Sequence, residues 1–345
     1  MRRGGRIRPR ASVGVNVGTL IRGGFLGGYS PSVLLHSRRI SPTLGKVAPV
    51  RRGSKSPVVG MNLKTEIAAA RYVMTAQRLV TSHMALFGGD VIDGFIFQAV
   101  MAANIAHVDS SPGAPSPWAD LDTPQVPLES RRPIAISALA ASLDMPRQTV
   151  WRRLQRLINA EEILQTPAGV LAPPGDPRGN TYDTALTVNT DLLTAFLRDS
   201  QLEDAARDRE RLAALALLER PGAPHRTIGR LSTTFILYVI TEFARRTTGD
   251  LVDGYIQVGL ALACASPGRD GQPRPIAAAP TREVAELTGL PEETMRRRLQ
   301  GLVTGGFAER TPRGYAPLWL SGAGLPDALA IGVHRLTRQL ARLET

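Results

Sequence analysis

The stretch MPRQTVWRRLQRL at 145–157 returns as LPEETMRRRLQGL at 290–302. A repeat of this kind restricts the chain to folds in which one unit is built twice. Reading from Pro146 and Pro291 without a gap to Ala172 and Pro317, ten positions are identical: Pro146/Pro291, Thr149/Thr294, Arg152/Arg297, Arg153/Arg298, Leu154/Leu299, Gln155/Gln300, Leu157/Leu302, Thr166/Thr311, Pro167/Pro312 and Gly169/Gly314. Upstream the register shifts, so that RPIA at 132–135 meets RPIA at 274–277 and GDVIDGFI at 89–96 meets GDLVDGYI at 249–256. The first copy also carries a longer linker at 109–130, which ends GAPSPWADLDTPQVPLES and whose prolines mark an irregular loop.

Both copies spell the same order of parts. A helix (64–87; 232–246) precedes a Gly-Asp break and a second, apolar helix (90–107; 251–265). After a loop comes a short helix, ISALAASL or TREVAELTG, then a tight turn and the basic helix. Two extended segments joined by a turn follow, ILQTPAGVLAP or FAERTPRGYAPL, and a further helix trails each copy, at 189–219 and 326–343. The expected fold is mainly α, a tandem duplication of helical modules each ending in a small hairpin. The expected units are residues 61–220 and 221–345, behind a tail at 1–60.

Charge separates that tail from the rest. The first sixty residues hold twelve Lys or Arg and no Asp or Glu, while the whole chain holds 42 basic and 30 acidic residues, so residues 61–345 are formally neutral. Rich in Gly, Ser and Pro and without a sustained period, the tail cannot bury enough surface to offset its ordering entropy and reads as disordered. Three accounts of it stand: a basic arm for phosphate, an organellar presequence with poor helical amphipathicity, or a segment upstream of a true start at Met61, where MNLKTEIAAARYV opens an ordinary mixed-charge helix. A single cysteine, Cys264 in LALACAS, excludes an intramolecular disulfide and reads as a buried thiol. The apolar runs near 235–240 and 258–263 are too short to span a bilayer, which points to a soluble, cytoplasmic protein.

On a 3.6-residue period, Val150, Leu154 and Leu157 share one side of the first basic helix, with Gln148, Arg152 and Gln155 opposite, flanked by Trp151 and Arg156. In the second copy Met295, Leu299 and Leu302 face inward, with Glu293, Arg297 and Gln300 outward and Arg296 beside them. Pro146 and Pro291 suit a helix start, and the turn at Asp144 or Gly289 sets this helix at an angle to the short one before it, the helix-turn-helix arrangement. Such a unit holds its second helix where the DNA major groove can receive it. TPAGV and TPRGY supply a hairpin wing turning at Gly169 or Gly314, with Arg310 and Arg313 on the second wing and Arg178 extending the first. Arg147 at the start of the first basic helix favours phosphate, whereas Glu292 and Glu293 repel it, so the first copy is expected to dominate binding. Arg153 and Arg298 lie at the core edge, placed to snorkel or touch phosphate. Trp151 either packs on the wing or meets a thymine methyl.

With these motifs, LAASLDMPRQTVWRRLQRLINAEEIL and VAELTGLPEETMRRRLQGLVTGGFAER resemble the winged helix-turn-helix segments of bacterial transcriptional regulators of the MarR and IclR types. The likeness covers about forty residues per copy; the other helices and the tandem layout fall outside it. It implies sequence-specific binding of double-stranded DNA, with Gln148, Arg152, Gln155, Arg297 and Gln300 as base readers by position.

Catalysis finds no support in the pattern. Asp90, Asp93, Asp250 and Asp253 recur as pairs at a Gly-containing helix start, where capping and dipole stabilisation explain them. The histidines His36, His83, His107, His225 and His334 share no ligand spacing, and no Gly-rich phosphate loop follows a strand. No enzyme, metal or cofactor is expected. The paired apolar helices read as a scaffold joining the modules into a pseudo-dimer, as one chain or as a homodimer; a small-molecule effector pocket is the alternative, although nothing polar in the pattern suggests its ligand. Two other functions stay open: assembly through protein–protein contacts, as in chromosome-organising complexes, and plasmid-type replication initiation.

Overall fold

Apolar residues spaced for helices and Pro or Asp at their starts organise the chain into eleven α-helices and two antiparallel hairpins among the described residues of a computed structural model, which cover 63–85, 90–108, 116–174, 181–200, 205–265, 278–318 and 327–344. The tail at 1–60, Met61, the second RPIA and Arg178 lie outside them. The first copy contains α1 (Leu63–Ala85), α2 (Val91–Ile105), α3 (Ile136–Ser142), α4 (Arg147–Asn159), β1 (Leu164–Thr166), β2 (Gly169–Leu171), α5 (Thr181–Asp199) and α6 (Ala205–Glu219). The second contains α7 (His225–Arg246), α8 (Leu251–Ala265), α9 (Thr281–Thr288), α10 (Glu292–Thr304), β3 (Ala308–Thr311), β4 (Gly314–Pro317) and α11 (Asp327–Glu344).

Two expectations change in outline. The single trailing helix of the first copy is two, α5 and α6, and α7 begins at His225 rather than at 232. The added turns carry Arg226, Thr227 and Arg230, polar residues that are nonetheless buried. The linker meets part of their need: Arg226 donates to the carbonyls of Thr123 and, at 3.1 Å, Leu121, with its Nε left without a partner among the described residues, while Arg230 reaches the Trp118 carbonyl at 3.4 Å and, within α7, Thr227 Oγ1 at 2.8 Å. Arg131, also buried, donates from Nε to the Val126 carbonyl at 3.0 Å and from Nη1 to that of Ala172 at 2.8 Å. The described part of the linker, residues 116–130, is anchored in this way, because these guanidinium groups trade hydration for backbone carbonyls.

Each hairpin gains a third, one-residue partner. Ile134 bridges to Val170, and Ala279 bridges to Tyr315. Gly169 and Gly314, at φ +142° and +139°, make this approach possible: a Cβ there would stand 2.2 Å from the Ile134 carbonyl oxygen and 2.1 Å from that of Ala279. Ile134 thus corresponds to Ala279, the same 145-residue offset as the basic helices.

The two copies interlock. Helix α1 lies on α8 while its counterpart α7 lies on α2, and α5 and α11 cover α1 and α7 in the same reciprocal way. Phe95 and Tyr255, the same position of the two copies, meet edge to face with ring centroids 5.5 Å apart. One apolar cluster runs from Ala68 to Leu340 through both copies, including Val150, Leu154 and Leu157 of α4, and a second unites α8 with α9, α10, β3 and β4. No helix among the described residues is long and apolar enough to cross a membrane.

Candidate nucleic-acid interface

The basic helices α4 and α10 each start after a proline whose φ, −58° at Pro146 and −57° at Pro291, is already compatible with the helix. Their inward residues are sealed: Val150, Leu154, Met295, Leu299 and Leu302 have no exposed surface and Leu157 almost none. The turns before them use a left-handed residue in both copies, Asp144 at φ 53° and Gly289 at φ 70°. Sealing one face leaves the other to solvent, and its arginines divide into two groups by their partners.

The first group is structural. Arg153 is joined to Asp90 and, at 3.1 Å, to Asp93, while Arg156 is joined to Asp93 through a short contact and stands 3.8 Å from Asp90. The same carboxylates organise the start of α2: Asp90 Oδ1 accepts from the amides of Ile92 at 2.9 Å and Asp93 at 3.1 Å, and the Asp93 carboxylate takes the Asp90 amide at 3.4 Å. The second copy repeats the device with Arg298, 2.8 Å from Asp250 and 3.0 Å from Asp253. Burial opposes the charge on Arg153 and Arg298, and the hydrogen bonds they donate to the aspartates outweigh it, so both guanidinium pKa values rise above the usual one. Burial likewise opposes ionisation of Asp90, but its bond from Arg153 prevails and holds the carboxyl below the ordinary range. The aspartate pairs thus cap helices and lock α4 to α2 and α10 to α8. Arg153 and Arg298 spend their charge inside the protein rather than snorkelling outward.

The second group is outward and free. Arg147, Gln148 and Arg152 are exposed on α4, and neither Arg147 nor Arg152 has an ion-pair partner among the described residues. Gln155 is half-buried, and its Nε2 is shielded from solvent without a hydrogen-bond partner. Trp151, 36% exposed, lines a groove with Arg147, Gln148 and Ile136 of α3. On α10, Arg297 and Gln300 are exposed, but Arg296 is held by Glu293 in a two-point contact at 2.7 and 2.9 Å. Position 301 is glycine where the first copy has Arg156. Arg310 and Arg313 stand exposed on the second hairpin, and the first hairpin turns through the uncharged Pro167 and Ala168.

No family model, curated protein or solved structure matches this chain.

The sequence-predicted residues therefore come together on two helix faces and one hairpin, except Arg156, which is drawn into the aspartate cluster. That cluster itself was legible only as a coincidence: Asp-x-x-Asp and an arginine at the same register recur in both copies. Elsewhere, His107 Nε2 lies 2.8 Å from the Ser130 carbonyl oxygen, His225 Nδ1 lies 2.9 Å from Thr190 Oγ1, and His334 Nδ1 lies 3.2 Å from a Glu210 carboxylate oxygen. No group of three metal-ligating side chains occurs among the described residues. Burial pushes the Cys264 thiol up to about 12, and its Sγ lies 3.4 Å from the Tyr315 carbonyl oxygen, a setting that keeps it protonated.

Proposed function

We propose that this protein is a sequence-specific, double-stranded DNA-binding regulator that carries two winged helix-turn-helix units on one chain as a pseudo-dimer. In this reading α3–α4 and α9–α10 are the helix-turn-helix pairs, and β1–β2 and β3–β4 are the wings. The observation that carries it is the sorting of arginines on α4. Arg153 and Arg156 are neutralised by Asp90 and Asp93, while Arg147 and Arg152 project unpaired beside Gln148. A merely solvated basic face gains nothing from that division, whereas unpaired guanidinium groups can form bidentate bonds to guanine or to phosphate. The second unit is weaker in this role, since Glu292 and Glu293 stand at the start of α10 and Glu293 ties up Arg296. The resemblance of both segments to MarR- and IclR-type regulators supports the same reading.

The test is selection of bound duplexes from random DNA by the full chain, followed by titration of the enriched sequence. Replacing Arg152 with Ala should weaken binding by about 1–3 kcal/mol and relax preference at one base pair, with a smaller loss for Arg297→Ala. Failure to enrich any sequence at moderate salt overturns specific binding. Loss from Arg297→Ala alone reverses the ranking of the units.

A further inference from the structure

Position 151 separates the two copies. On α4 it is Trp151, and on α10 its counterpart is Arg296. Trp151 stands one helical turn beyond Arg147 and Gln148, and these three side chains line one groove with Ile136 of α3. Trp151 belongs to neither apolar cluster, and neither its indole N–H nor the Gln148 amide makes a hydrogen bond among the described residues. On α10 the same two positions are Glu293 and Arg296, which close on each other as an ion pair. The first copy thus keeps an apolar surface open, with hydrogen-bonding groups at its rim, where the second satisfies itself. An exposed indole has apolar area still to bury, and this one lies among the unpaired Arg147 and Arg152, whose charge suits a polyanion.

We propose that this groove receives the C5-methyl group of one thymine in the major groove of duplex DNA, and that only the first unit reads a methyl. The inference rests on the reading of α4 as a recognition helix. Among the groups that base edges present there, the thymine methyl is the apolar one, and Trp151 and Ile136 offer it an apolar surface. Gln148 beside them is suited to a bidentate pair with adenine, and Arg152 to one with guanine, so the thymine neighbours the base pairs that these two meet. Arg296 brings no such surface to the second unit. The bound site is therefore not a palindrome: the thymine that matters in one half has no counterpart in the other, and the chain binds in one direction. Cytosine carries the same methyl only when modified, and thymine, present in unmodified DNA, is the source.

The experiment uses the full chain to select duplexes from random unmodified DNA. Each thymine of the enriched sequence is then replaced singly by deoxyuridine, which keeps O4 and the pairing edge and lacks only the methyl. One replacement, in one half of the site, should weaken binding about fourfold, as expected for a single methyl group returned to water. The other replacements should be near neutral. Trp151→Ala should bind the thymine and deoxyuridine duplexes equally, and so should Trp151→Arg, which serves if the alanine variant fails to fold. A chain that binds its duplex but tolerates every deoxyuridine, an enriched sequence with no fixed thymine, or a folded Trp151 variant that keeps the fourfold difference overturns this proposal and leaves the DNA reading standing. Enrichment of no sequence overturns both. Matching losses in the two halves overturn the one-sided site. Tighter binding with 5-methylcytosine than with thymine at that position assigns the methyl to modified DNA and overturns the choice of thymine.

Discussion

After each basic helix the chain turns through a left-handed residue, and the copies fill that position differently: Glu161 at φ 60° and Gly306 at φ 75°. A side chain in this region costs about 1–2 kcal/mol, because its Cβ crowds the following carbonyl oxygen. Glycine escapes that strain but loses about 0.5–1 kcal/mol more to the freedom of the unfolded chain. The difference predicts that Glu161→Gly stabilises the protein by about 0.5–1 kcal/mol, a rise of about 1–3 °C in Tm for a protein of this size. The reciprocal change should lose a similar amount. A Cβ at Gly306 would meet nothing within 4 Å, so Gly306→Glu imports backbone strain without a clash. Urea denaturation and thermal scans of both variants measure the pair. Glu161→Ala separates backbone from charge, since it removes the carboxylate and keeps the strain, and should gain little. If Glu161→Ala stabilises as much as Glu161→Gly, or if Gly306→Glu is neutral, the strain argument is wrong.

Further outcomes follow from the aspartate clusters and the thiol. Asp93, only 1% exposed and facing two arginines, should cost about 2–3 kcal/mol when changed to Asn, and Asp253, facing Arg298 alone, about 1–2 kcal/mol, both read from urea midpoints. Because the folded-state pKa of Asp90 lies below its unfolded value, its stabilisation is complete above about pH 4 and fades as pH falls through the folded value; Asp90→Asn should flatten the acid side of the stability profile. Cys264, with its thiol pushed up to about 12, should resist iodoacetamide at pH 8 until denaturant is added, as mass spectrometry would show.

Much of the architecture could be read from periodicity alone. The inward sets Val150/Leu154/Leu157 and Met295/Leu299/Leu302 are buried as their spacing implies, and Gly169 and Gly314 sit at the hairpins. What escaped depended on partners distant in sequence. The start of α7 was hidden because Arg226 and Arg230 look like surface residues until the linker carbonyls that satisfy them are known. The RPIA words pair Ile134 with Ile276 by sequence, whereas the bridge that Ile134 makes is made in the second copy by Ala279. Arg156 is exposed as its spacing implies, but its pairing with Asp93 escaped, because helical spacing cannot reveal a carboxylate 63 positions earlier.

The Phe95–Tyr255 contact has a consequence for how the halves can evolve. In a symmetric pair of identical chains any change on the axis appears on both sides, so an acceptable substitution must suit its own copy. Here one ring is phenylalanine and the other tyrosine, whose hydroxyl donates to the Thr288 carbonyl at 3.1 Å, a bond made on one side only. Covalent linkage also removes concentration from the equilibrium between the halves, so dilution cannot part them. A single chain of this form is free to specialise one half while the other keeps the pair folded.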